Sequence, residues 1–208
     1  KTTTKELLTH VLKGSGEVLS TKGNLNNHIG VPLTISSFTH SAKFLVVELG
    51  MSHAGEIDYL TRLLQPDLAL ITNVGRAHLE GLHGDLEKVA LAKGELFAAL
   101  SASETAFINM EDERIAALPT KAKKVAYGFS EKADIWADAI EVKAGKMVFV
   151  LHHAGKSQAA SFPMIGRHHV LNAVSVYAMA IHLGLAPDLI LQRMASFQMK
   201  MHRGEIVR

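Results

Sequence analysis

The sequence predicts an α/β fold, a mostly parallel sheet flanked by helices, with a small antiparallel β-subregion at about 133–164. Three observations predict it. Short β-prone apolar runs alternate with helical periodicities between residues 44 and 127, the pattern of strand–helix–strand units. Those runs are continuous rather than alternating, as expected of strands covered on both faces. Beyond about residue 130, three short strands follow one another, separated by Gly-containing turns.

In chain order, Leu7, Leu8, Val11 and Leu12 repeat at helical spacing, and Gly14-Ser15-Gly16 ends that helix. Thr21 to Pro32 is rich in Gly and Asn and reads as a loop. Phe44 to Leu49 predicts a buried strand. Gly55 to Leu64 predicts a helix stopped near Pro66. Leu68 to Ile71 predicts the next strand, followed by the polar Thr72-Asn73-Val74-Gly75. Leu86 to Leu100 is a strongly amphipathic helix, Thr105 to Ile108 a strand, Glu111 to Leu118 a helix and Lys124 to Tyr127 a strand. Ile135–Val142, Met147–His152 and Gln158–Phe162 form the meander, with turns at Ala144-Gly145 and Ala154-Gly155. Helices over Val170–Leu183 and Pro187–Met194 close the chain.

The 208 residues, 48% of them hydrophobic, suffice for one full core. A net charge of +2 gives no reason to expect a nucleic acid or an anionic membrane as partner. With no cysteine, neither a disulfide framework nor a thiolate metal site is available. No apolar run approaches the ~20 residues a membrane-spanning helix needs. Lys1-Thr2-Thr3-Thr4 enters a helical pattern with neither strand nor initiator methionine before it. The expectation is a fragment of a longer, cytoplasmic, monomeric protein.

Candidate residues gather where parallel strands end and helices begin. Lys1, Thr2 and Thr3 open a helix, where backbone N–H groups, a lysine and a hydroxyl suit phosphate and Mg²⁺; an ordinary polar terminus reads the same way. Glu48 closes a strand at the sheet edge that binds ligands in open α/β sheets, and a hard cation wants such an oxygen; a solvent-facing glutamate is the alternative. His78 follows the second strand as a possible metal ligand or phosphate donor, although it is one of 12 histidines. Lys93 stands four residues from both Val89 and Phe97 on the apolar side of its helix, and either needs a partner or snorkels to water. Gly94 beside it implies close approach by another group. Gly166 to Asn172 opens the long helix, to bind a base or anion or simply to cap.

Taken in order, these segments resemble the Mur ligases, ATP-dependent amide-bond formers of peptidoglycan synthesis. Lys1-Thr2-Thr3-Thr4 is similar to the end of the family's P-loop. Gly23-Asn24-Leu25-Asn26-Asn27-His28-Ile29-Gly30-Val31-Pro32 resembles G-N-x-N-N-x-I-G-x-P, a loop of the member that adds D-alanyl-D-alanine. Val47 to Met51 with Gly55-Glu56-Ile57, Ile71 to Glu80, Ala92 to Glu95, Gly166 to Ala173 and Met201-His202-Arg203-Gly204 resemble further blocks. The resemblance spans nearly the whole chain and implies a central ATP-binding domain with a P-loop-type sheet. It also implies UDP-sugar and amino-acid domains flanking this stretch in the whole protein. The implied reaction adds D-alanyl-D-alanine to a UDP-N-acetylmuramoyl-tripeptide through an acyl-phosphate, with ATP and Mg²⁺. Implied roles are phosphate contact for Lys1, with Thr3 beside it; Mg²⁺ for Thr2 and Glu48; and a second Mg²⁺ for His78 and Lys93, the lysine carbamylated. Asn27 is implied near the γ-phosphate, Asn172 at adenine, and Arg203 at ribose or phosphate. His169 replaces the first asparagine of the family's H-N-x-x-N and inherits no role. The fragment alone is expected to be inactive. Related ligases remain alternatives, namely a folylpolyglutamate synthetase, a tripeptide-stage member or a cyanophycin synthetase module. So does a non-ligase P-loop module.

Overall fold

The computed structural model describes residues 1–39, 41–75 and 85–199. Helix α1 (Thr2–Leu12) buries Leu7, Leu8, Val11 and Leu12, the residues whose spacing announces it. Strand β1 (Glu17–Ser20), helix α2 (Gly30–Ser36) and strand β2 (Ala42–Val46) follow, with β1 and β2 paired in parallel. Next come α3 (Glu56–Leu64), β3 (Leu68–Leu70), α4 (Leu86–Ala98), β4 (Thr105–Asn109), α5 (Glu113–Ala116) and β5 (Lys123–Gly128). The meander is β6 (Ile135–Lys143), β7 (Lys146–His153) and β8 (Lys156–Phe162), and helices α6 (Arg167–His182) and α7 (Pro187–Ala195) end the fold.

Strands β3 to β8 form one six-stranded sheet in sequential order. Pairing is parallel from β3 to β6 and antiparallel from β6 to β8. The meander therefore continues the main sheet through Tyr127 opposite Ile135. Its two tight turns put Ala144, Gly145, Ala154 and Gly155 at positive φ, as two-residue hairpins require. All five residues of β4 are buried. Phe107 faces a core shared with α1, α6 and α7, while Ala106 and Ile108 face a second core under α4 and α5. Covering both faces accounts for the continuous apolar run.

Four expectations shift. The strand expected over Phe44–Leu49 runs from Ala42 to Val46, because the following backbone bonds to a loop instead: the N–H of Glu48 donates to Thr21 Oγ1 at 3.0 Å and that of Gly50 to the Asn26 carbonyl at 2.7 Å. The loop expected through Pro32 contains the start of α2; Pro32 sits in the first helical turn, where its missing N–H costs nothing. The helix expected over Glu111–Leu118 contracts to α5, capped by Asp112. Strand β1 was not expected. Among the described residues, no ladder joins β2 to β3, and a cavity of about 530 Å³ lies between them.

Candidate functional site

The polar end of that cavity is built from the carboxyl ends of β2 and β3, the start of α1 and the middle of α4. Lys1, Glu48, Thr72, Asn73 and Lys93 all line it. The structure thus brings together three residues singled out from sequence, Lys1, Glu48 and Lys93. Thr2 and Thr3 open α1 beside Lys1 but are not among the lining residues. His78 and Arg203 lie outside the described residues. Leu8, Phe44, Val46, Ala69 and Leu70 are on the walls of the rest of the cavity, with Lys5, Lys43, Gln65 and Asp67 also lining it.

Glu48 is 7% exposed. Its Oε1 accepts a hydrogen bond from Asn26 Nδ2 at 3.1 Å, while Oε2 is buried with no partner among the described residues. A buried, unsatisfied carboxylate oxygen costs free energy until something positive reaches it. Lys1 Nζ bonds to the Leu49 carbonyl at 3.2 Å, which leaves further donor capacity. Lys93 Nζ bonds to the Asn73 carbonyl at 2.7 Å. Burial holds the Lys93 ammonium below the usual lysine range; Lys1 pushes it the same way, and Asp112 opposes.

The remaining expected residues fall elsewhere. Asn27 Oδ1 accepts from the N–H groups of Ile29 and Gly30 at 3.1 and 3.0 Å, so this oxygen fastens the start of α2. Asn27 lines a separate pocket of about 240 Å³ with Gly55, Glu56 and Tyr59. Asn172 is half-buried on α6 and does not line the main cavity. His169 Nδ1 is buried with no partner among the described residues, and burial lowers its pKa, helped by neighbouring His168. Gly94 is explained by packing rather than by Lys93: a Cβ there would stand 2.6 Å from Leu118 Cδ2.

Several supporting residues are given no role by the sequence reading, although Glu95 and Asn26 lie within the motifs that carry the resemblance. Glu95 accepts from the N–H groups of Gly55 at 2.7 Å and Asp58 at 3.0 Å, tying α4 to the start of α3. Asn109 Nδ2 donates to the Thr72 carbonyl at 2.7 Å, and Asp112 Oδ2 accepts from the Val74 N–H at 2.7 Å. Together they latch the 72–75 strand exit to the end of β4. Lys5 is 4% exposed and donates to the Thr21 carbonyl at 2.6 Å, so this lysine joins α1 to the end of β1.

A helix start, a buried glutamate and a lysine thus meet at the carboxyl edge of parallel strands, where open α/β sheets bind ligands. The sequence profile described as Mur ligase middle domain matches residues 1–180, and the chain belongs to that family. It is 38% identical over 188 residues to the UDP-N-acetylmuramoyl-tripeptide–D-alanyl-D-alanine ligase of Haemophilus influenzae, covering 88% of this chain and 41% of that protein. It is 35% identical over 202 residues to the enzyme of that name from Escherichia coli, covering 95% and 44%. The crystal structure of MurF from Acinetobacter baumannii superposes with a TM-score of 0.89 at 32% identity, over 97% of this chain and 45% of that one. MurF ligase from Thermotoga maritima, solved in complex with ADP, gives 0.85 at 26% identity, over 96% and 46%. The chain thus spans under half the length of each of these four relatives.

Proposed function

We propose that the whole protein is an ATP-dependent ligase adding D-alanyl-D-alanine to a UDP-N-acetylmuramoyl-tripeptide, and that this chain is its central nucleotide-binding domain. The observation that carries the reading is the meeting of Lys1, Glu48 and Lys93 at one cavity mouth. The names of the relatives at 35–38% identity support the choice of substrates. The largely apolar slot behind the mouth has the lining of a strand position, between β2 and β3, which no ladder joins among the described residues. It suits an extended segment of the whole protein that leads through a phosphate-binding loop into Lys1. The UDP-sugar and acceptor domains complete the proposed enzyme. It is read as a cytoplasmic monomer without nucleic-acid or membrane partners; among the described residues no helix is long and apolar enough to cross a membrane.

In this reading the tripeptide carboxylate attacks the γ-phosphorus of ATP, ADP departs, and an acyl-phosphate forms. The dipeptide amine then attacks the acyl carbon, inorganic phosphate leaves, and the surplus amine proton is released. The protein's share is positioning and charge neutralisation. Lys1 offsets β/γ-phosphate charge at the start of α1, with Thr2 and Thr3 beside it. The buried, unpartnered Oε2 of Glu48 fits a hard divalent cation. Mg²⁺ held by Glu48 and Thr2, with His78 and Lys93 serving a second ion, would spread the developing negative charge. Lys93 can serve a cation only as its carbamate, and the depression of its pKa favours the neutral amine that adds CO₂. Asn27 is proposed near the γ-phosphate through its amide nitrogen, Asn172 at adenine, and Arg203 at ribose or phosphate.

The test is ADP formation by the full-length protein with Mg²⁺. It should require the UDP-linked tripeptide and D-alanyl-D-alanine together. Lys93→Met should lower kcat about 100-fold or more, the scale set by loss of one electrostatic group. ADP release indifferent to the dipeptide, or preference for a different acceptor, would overturn the assignment.

A further inference from the structure

We infer that Asn26 is a positioning residue for the cation site: its amide pins Glu48 by one oxygen and leaves the other, unpartnered among the described residues, for the cation. The inference rests on the reading of Glu48 as a cation ligand. A carboxylate has about four lone-pair sites. At Glu48 the described residues fill one of them, through Asn26 Nδ2 on Oε1 at 3.1 Å. The Glu48 main chain is fixed separately, its N–H donating to Thr21 Oγ1. Among the described residues Glu48 has no ion-pair partner. The asparagine therefore decides which oxygen stays free and stops the side chain rotating.

Asn26 can do this because its own position is over-determined. Its carbonyl accepts from the Gly50 N–H at 2.7 Å, and its N–H donates to the Asn24 carbonyl at 2.8 Å. Its side chain lies over Gly50, where a Cβ would stand 2.7 Å from Asn26 Oδ1 and 2.8 Å from Cγ. Only glycine at 50 leaves room for the amide to reach Glu48. Asn26, Glu48 and Gly50 are thus one device: a loop asparagine, a carboxylate and the empty space that lets them meet. Asn27 next to it turns its oxygen into its own loop instead. Partners that orient metal ligands in this way typically contribute about 10- to 100-fold to metal affinity.

Two substitutions break the contact from opposite sides. Asn26→Ala removes the donor and keeps the backbone bonds to Gly50; Gly50→Ala pushes an intact amide away. The measurement is Mn²⁺ affinity of the full-length protein at saturating non-hydrolysable ATP analogue, read by electron paramagnetic resonance, with thermal melts alongside. Each variant should bind Mn²⁺ about 10- to 100-fold more weakly. The double variant should be no weaker than Asn26→Ala, because one contact is lost once. The apparent KM for Mg²⁺ should rise in parallel while that for the tripeptide holds. Mn²⁺ affinity within twofold of wild type in Asn26→Ala, while Glu48→Gln abolishes binding, would overturn the role of Asn26 alone. Wild-type protein that binds no Mn²⁺ with the nucleotide would overturn the cation reading of Glu48 as well.

Discussion

Gly94 offers a substitution whose sign depends on what the missing side chain makes room for. In a helix interior Gly→Ala gains about 1 kcal/mol of propensity. Gly94 is buried, however, and the new methyl would meet Leu118 Cδ2 at 2.6 Å. Leu118 is 5% exposed and packs with Phe97, Ile108 and Ile115, so it has little room to retreat. Overpacking of this kind costs about 1–3 kcal/mol. The clash outweighs the propensity, and Gly94→Ala should destabilise by about 1 kcal/mol. In a domain of this size that lowers Tm by about 2–4 °C. Leu118→Ala removes the obstacle, at a cost of its own of about 2–5 kcal/mol. In that background Gly94→Ala should change sign and stabilise by about 0.5–1 kcal/mol. Urea unfolding of the four proteins of the cycle measures both effects. If Gly94→Ala raises stability in the otherwise wild-type protein, the glycine does not serve Leu118, and space for a modified Lys93 becomes the better account.

Two further predictions concern the α3 side of the site. Glu95→Ala deprives the Gly55 and Asp58 N–H groups of their acceptor and should cost about 1–2 kcal/mol, as for loss of a helix cap; a thermal melt checks it, and an unchanged Tm would exclude the tie between α4 and α3. Glu56 accepts from the Ser52 and His53 N–H groups, and these bonds hold its carboxyl below the usual 4.5. A depressed carboxylate contributes stability that is complete above the unfolded pKa and is lost as pH falls through the folded one. Wild type should therefore lose stability relative to Glu56→Gln below about pH 4.5, and parallel pH profiles for the two proteins would refute the contribution.

Much of the fold could be read from local pattern because the core demands it. β4 is buried along its whole length, and an apolar run is the direct imprint of that. The hairpins were visible through Ala144-Gly145 and Ala154-Gly155, whose positive φ needs a small residue in each turn. β1 left no such imprint: Glu17-Val18-Leu19-Ser20 is short, and none of it is fully buried. α2 was hidden because Gly30 and Pro32 read as breakers, although the first turn tolerates both. At the site, Glu48 and Lys93 could be recognised because sheet topology puts strand ends and the following helix together. Neighbouring asparagines were beyond that reasoning. Sequence does not say which of Asn26 and Asn27 faces Glu48; the turn of the loop over Gly50 decides it. Glu95, Asn109 and Asp112 were missed for a related reason, since their partners are backbone groups 37–40 residues away.

The two sheets are tied to each other through helices. Lys1 and Glu48 line the cavity from the β2 side, Asn73 and Lys93 from the β3 side. α1 packs on α6 and α3 on α4, and these contacts join one side to the other. Substitutions that change volume at either helix contact are expected to alter the distance between the two sides of the opening.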